Sequence, residues 1–154
     1  MSAVLCDYPP YASHVGACEV SLMTRQPTDQ HGVGIVYLAS PYTSTDPAIV
    51  EVRFHTVCRI TGQLLNQGYH VLSPIAHSHP VAVACELPKH FEFWRDYDHA
   101  LIQVCSEVWV CTIPGWRDSV GVTDEKAFAR SLGIPVRYVV DLVESVSVQD
   151  GEPS

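Results

Sequence analysis

The sequence predicts a small doubly wound α/β fold, flavodoxin- or Rossmann-like, with a parallel sheet and helices on both faces. Three observations predict it. Strand-like and helix-like segments alternate from residue 34 to residue 141. The strand-like runs are apolar throughout rather than at every second position, as strands covered on both faces are. Gly and Pro stand between the segments, where helices must end and loops must turn.

The elements follow in order. Gly34-Ile-Val-Tyr-Leu-Ala39 reads as a short buried strand that Ser40-Pro41 ends with a turn. Asp46 followed by Pro47 supplies an N-cap and a first-turn proline. Val50, Phe54, Val57, Cys58, Thr61, Leu64 and Leu65 then recur at three- and four-residue steps until Gly68 closes the helix. Tyr69 to Leu72 reads as a second strand, ended by Ser73-Pro74, with an extended segment beyond it. Leu87 to Val104 gives a second helical pattern running into a strand over Glu107 to Ile113, which Pro114-Gly115 breaks. Val122 to Leu132 makes a third helix with Gly133 as its C′ residue, and Val136 to Val140 a last strand. Residues 1–33 read as an irregular N-terminal extension and residues 142–154 as a flexible C-terminal tail, leaving 34–141 as the working domain.

Composition narrows the function. A chain of 154 residues with 47% apolar and 17% charged side chains is too hydrophobic for a disordered protein. One domain of this size buries roughly 70% of its unfolded surface, so its core needs no metal or disulfide staple. Nine Lys and Arg against seventeen Asp and Glu give a formal charge of −8, which repels phosphate backbones and anionic membranes. Nucleic acid and membrane partners are therefore not expected. No apolar run approaches the roughly 18 residues of a membrane span, and the amino terminus lacks the basic and apolar regions of a secretory signal. The six cysteines, at 6, 18, 58, 85, 105 and 111, form no Cys-x-x-Cys pair and read as reduced core thiols. Together these features predict a cytoplasmic protein.

In doubly wound folds ligands bind outside the carboxyl ends of the strands, so chemistry is sought in the loops after Ala39, Leu72 and Ile113. No G-x-x-x-x-G-K-[ST] is present, and the close glycine pair, Gly32 and Gly34, precedes the first strand instead of following it. Phosphate-loop and dinucleotide readings are correspondingly weak. What does follow the strands is a set of hydroxyls, imidazoles and carboxylates: Ser40 and Tyr42; Ser73, His77 and His79; Asp118, Ser119 and Glu125.

Those residues carry a family resemblance over about residues 35 to 139. Val36-Tyr37-Leu38-Ala39-Ser40-Pro41-Tyr42, Asp98 ahead of the third strand, and Asp118-Ser-Val-Gly-Val-Thr-Asp-Glu125 opening the third helix resemble the nucleoside 2-deoxyribosyltransferase superfamily. That superfamily includes relatives that hydrolyse the N-glycosidic bond of deoxynucleoside monophosphates. A closer likeness is to short bacterial and phage members with a Pro-Gly-Trp-x-x-Ser-x-Gly segment, here Pro114 to Gly121. The resemblance implies that Glu125, four residues after Gly121, is the nucleophile at the sugar anomeric carbon. It implies further that Tyr37 orients Glu125 and that Asp98 protonates or holds the leaving base. Ser119 takes a position where nucleoside transferases place an aspartate, which implies a 5′-phosphate over a free 5′-hydroxyl. Homo-oligomeric assembly is implied as well.

The residue types suit this chemistry. A glycosidic carbon develops oxocarbenium character, which an anionic carboxylate can stabilise or bond to, and the start of a helix favours that ionised form. A departing base needs a proton, which an acid such as Asp98 supplies; Asp96, two residues away, points elsewhere on a helix. Ser40, with Pro41 and Tyr42 in the same loop, and the backbone amides at a helix start complete an anion pocket with Ser119, and Arg53 or Arg117 could pair with a phosphate. Asp118, one residue from Ser119, would instead keep a carboxylate near the sugar. His77 and His79 alternate along the extended segment and fit a base or sugar contact; two ligands do not make a metal site. Of the three tryptophans, Trp116 lies in the loop after the third strand and is the candidate wall for a base. The expected ligand is a small nucleotide or nucleoside, with no cofactor. Two alternatives stay open: a non-catalytic nucleotide-binding module on the same pocket, and a glycohydrolase acting on a dinucleotide such as NAD.

Overall fold

A computed structural model of the chain describes residues 34–141 and 146–153. The N-terminal extension expected over residues 1–33 lies outside the described residues. The elements are β1 (Val36–Ala39), α1 (Pro47–Asn66), β2 (Val71–Leu72), α2 (Pro74–Ala84), α3 (Phe91–Gln103), β3 (Glu107–Cys111), α4 (Val120–Ser131), β4 (Val136–Asp141) and β5 (Val146–Gln149). They build one sheet of order β2-β1-β3-β4-β5, in which β2, β1, β3 and β4 run parallel. The doubly wound α/β fold that the sequence predicts is the fold observed, with its switch point between β1 and β3.

Strand pleat distributes the core over the two faces. Val36 and Leu38 join Trp109, Val139 and the α1 residues Val57, Ile60 and Leu64 in one fully or nearly fully buried layer. Tyr37 and Ala39 point the opposite way, into a layer with Val108, Val110, Ile102 of α3, and Val122 and Ala129 of α4. Strand parity thus puts Tyr37 on the face that α3 and α4 cover. Of the cysteines read as core thiols, Cys105 and Cys111 are buried, whereas Cys58 is half-buried and Cys85, at the end of α2, is exposed.

Caps explain where the helices stand. Asp46 accepts the Ala48 amide at 2.9 Å ahead of Pro47, and Ser119 accepts the Val122 amide ahead of α4. Gly68 and Gly133 take φ of 95° and 71° just beyond α1 and α4, left-handed values that glycine adopts without strain.

Two expectations are corrected. The segment after β2 is not extended: Ser73 caps α2 by accepting from the Ala76 amide, and Pro74 takes the first helical position. This is the same Asp/Ser-Pro device that starts α1, hidden by Pro80 inside the helix, whose ring normally argues for a break. The chain after 141 is not simply a tail either. Val146–Gln149 pairs antiparallel with β4, Val139 opposite Val148, and Val148 packs against the α1 layer. Beyond it, Glu152 accepts from the Tyr138 hydroxyl at 3.1 Å and lies 3.6 Å from the Lys126 ammonium. Among the described residues no helix is long and apolar enough to cross a membrane.

Candidate functional site: a carboxylate-lined cleft at the switch point

A cavity of about 370 Å³ opens at the carboxyl ends of β1 and β3. Its walls come from the loop after β1, from α2, from residues 89–98 and from the start of α4, a volume and position suited to a small molecule.

At its base lies Glu125, only 6% exposed. The Tyr37 hydroxyl, on a side chain with no exposed surface, donates to Glu125 Oε1 at 2.6 Å. Glu125 Oε2 is buried without a partner among the described residues. One carboxylate oxygen is therefore held by a rigid donor and the other is left for whatever enters the cavity. Asp98, on α3, lines the same cavity, whereas Asp96 is exposed outside it.

The helix-start argument for an ionised Glu125 does not survive. α4 begins at Val120, two residues earlier than its periodicity suggested, so Glu125 stands in the second turn, where the helix dipole has faded. Burial dominates and raises its pKa to about 8; the Tyr37 hydrogen bond opposes this, while the charges of Asp98 and Asp124 add to it. Burial likewise raises Asp98 to about 6, opposed by Tyr37 and His99 and assisted by Asp124. Burial first, then the neighbouring carboxylates, keep the Tyr37 phenol protonated far above its ordinary range. The two carboxyl groups thus share one proton around neutral pH.

The remaining expected residues divide. Ser40, Tyr42, His79, Asp118, Ser119 and Gly121 line the cavity with Glu125 and Asp98. Ser40 Oγ is buried and unpartnered among the described residues, and the Tyr42 hydroxyl lies 2.8 Å from Nδ1 of buried His79. Pro41 is fully buried behind the loop. His77 does not join them: α2 is a helix, so residues 77 and 79 point to different sides, and His77 lines a separate depression with Thr61, Leu72 and Leu101. Arg53 is a brace rather than a ligand residue. Its guanidinium donates to the Thr43 carbonyl at 2.7 Å and the Pro114 carbonyl at 3.3 Å, tying the loop after β1 to the loop after β3. Arg117 turns to the C-terminal segment, donating to the Pro153 carbonyl and pairing with Glu152. Trp116 is a core residue, packed edge-on against Tyr138 and covered by Arg117 and Lys126.

Sequence reading missed Lys89, His90, Phe91, Glu92 and Trp94, which form one wall of the cavity. Trp94, not Trp116, is the tryptophan beside the site, its indole N–H fixed on the Pro88 carbonyl at 2.7 Å. Lys89 supplies the cationic group that neither Arg53 nor Arg117 supplies. The signal was present as a Lys-His-Phe-Glu-Phe-Trp run at a helix start, but nothing in one chain told that this helix faces the loop after β1. Among the described residues no group of three or more His, Cys, Asp or Glu is placed to hold a metal ion.

Fold and site define a flavodoxin-like α/β protein with a buried, tyrosine-held carboxylate in a cleft at the sheet's switch point. The chain belongs to the family described as "Domain of unknown function (DUF1937)", whose model matches residues 34–140. A comparison with curated proteins returns no match.

Proposed function

We propose that this protein cleaves or transfers the N-glycosidic bond of a deoxynucleoside 5′-monophosphate, with Glu125 as nucleophile at C1′. The observation that carries the reading is the buried Tyr37–Glu125 hydrogen bond at the base of a cavity that Asp98 also lines. Glu125 Oε2 attacks C1′ while the C1′–N bond breaks and its electron pair passes to the base. The Asp98 carboxyl gives its proton to that nitrogen. In the second half water adds to C1′, its proton returns to the Asp98 carboxylate, and the Glu125 carboxylate leaves; a second base in place of water gives transfer. Trp94 and Phe91 offer flat surfaces for the base. Ser40, the Ser119 hydroxyl at the α4 N-terminus and the Lys89 ammonium offer donors for a phosphate.

The reactive form carries one proton on the Asp98–Glu125 pair. Because the burial-raised values are about 6 and about 8, that form is populated between those pH values; its proton rests mainly on Glu125, and the productive arrangement is the minor one, with the proton on Asp98. The test is incubation of the full chain with a panel of deoxynucleosides, their 5′-monophosphates and NAD, following free base by chromatography beside Glu125→Gln. Release from monophosphates that Glu125→Gln abolishes is expected. Release that persists in the variant, or tight binding of the monophosphates without turnover, overturns the reading.

A further inference from the structure

Next to each cavity carboxylate stands a residue that the proposed chemistry does not use. His99 follows Asp98 on α3 and Asp124 precedes Glu125 on α4, and the two meet, His99 Nε2 lying 2.5 Å from Asp124 Oδ2. The His99 ring also stacks on Phe128, with centroids 3.7 Å apart and planes 2° from parallel, and Arg95 Nε lies 3.5 Å from Asp124 Oδ1. Helix geometry makes this a seam: Arg95 and His99 are one turn apart on α3, Asp124 and Phe128 one turn apart on α4. Asp98 and Glu125 each sit one residue, about 100°, around their helix from the seam, on the side where the cavity lies. The His99 side chain is 16% and the Asp124 side chain 25% exposed, so the contact is largely withdrawn from water.

We infer that His99 and Asp124 are positioning residues, whose contact locks α3 to α4 and sets how Asp98 and Glu125 face one another across the cavity. The inference rests on the reading of those two carboxylates as the reacting pair. A simple helix clamp would contribute to stability alone. This one is also electrostatic, because Asp124 acts on both carboxylates and His99 lies against Asp124. The charge of Asp124 favours the protonated form of both Asp98 and Glu125, and His99 favours the ionised form of Asp98. From β1, Tyr37 faces the same pair; around the cavity stand Tyr42, His79, Lys89, His90, Glu92 and Asp118.

The experiment has two arms on the full chain. In the first, carbon-13 NMR follows the carboxyl titrations of Asp98 and Glu125 in the unaltered protein, His99→Phe, His99→Gln and Asp124→Asn. Asp124→Asn is expected to move both titrations to lower pH, and His99→Phe to move that of Asp98 to higher pH. His99→Gln, which keeps a donor for Asp124 but carries no charge, is expected to move the Asp98 titration in the same direction as His99→Phe. In the second arm, base release by His99→Phe falls on the order of tenfold in kcat with KM little changed, and His99→Gln restores it. Thermal melts identify any variant that fails to fold; Asp124→Asn and His99→Gln then carry the test. Titrations that do not move in folded variants overturn the inference. If the unaltered protein releases no base, the functional reading falls and the titration arm still decides the role of the seam.

Discussion

The burial that would hold Glu125 in place for the proposed reaction works against stability once its carboxyl ionises. Its carboxyl rises from an ordinary 4.5 to about 8 on folding, so the folded state holds the proton more tightly than the unfolded chain. The contribution to stability is whole below about pH 4.5 and is lost as pH rises through about 8. Glu125→Gln, permanently neutral, is expected to melt with the unaltered protein at pH 5 and well above it at pH 9. The gap corresponds to a few kcal/mol, on the order of the burial shift. Tyr37 acts on the same proton. Its hydrogen bond favours the ionised form of Glu125, so Tyr37→Phe raises the pKa of that carboxyl further. The bell of base release against pH, expected to rise through about 6 and fall through about 8, should then shift to higher pH and lose height. An unshifted bell would show that Tyr37 packs the strand and does nothing to the acid.

Helix α2 turns a stretch read as extended into a discriminating test. His79 is buried in the cavity wall against Tyr42 and stacks on Phe54 at 3.9 Å, while exposed His77 belongs to another surface. His77→Ala is therefore expected to leave ligand binding by the monophosphate panel unchanged, and His79→Ala to weaken it; equal losses would mean that the helix is not the element that presents them. Ser119 combines two tasks, capping α4 through the Val122 amide and lining the cavity. Ser119→Ala removes both, with a cap loss of about 1 kcal/mol. Ser119→Asp keeps a capping oxygen and adds a charge, so it should recover the melting temperature while weakening monophosphate binding relative to the free deoxynucleoside. Thermal denaturation and calorimetry on the same pair of variants separate the two effects.

At the scale of the whole molecule, the cavity exists because separate loops are tied together. Arg53 joins the loops after β1 and β3, and Gly115, at φ 91°, leaves the room its guanidinium occupies: a Cβ there would run into Arg53. Gly115→Ala is expected to destabilise the fold through both the left-handed backbone and the displaced brace, by about 1–3 kcal/mol. The sheet closes similarly at its far edge, where β5 covers β4 and Glu152 meets Tyr138 and Lys126. Removing residues 146–154 should expose the β4 edge, lower the melting temperature and promote aggregation, measurable by light scattering.

Much of this was legible in the chain itself. Alternating apolar strands and capped helices declared the parallel sheet, because period, caps and turn residues act locally and leave local marks, whereas Tyr37 and Glu125 stood out only through the family resemblance their segments carry. The tertiary structure decided the rest. Arg53 and Arg117 turn to carbonyls 61 and 36 residues away along the chain, Trp94 rather than Trp116 borders the cleft because one helix lies beside another loop, and Val146–Gln149 finishes the sheet by folding back on β4. The protonation of Glu125 belongs with them, since burial by the assembled sheet and helices outweighs the helix-start preference that its sequence position suggested.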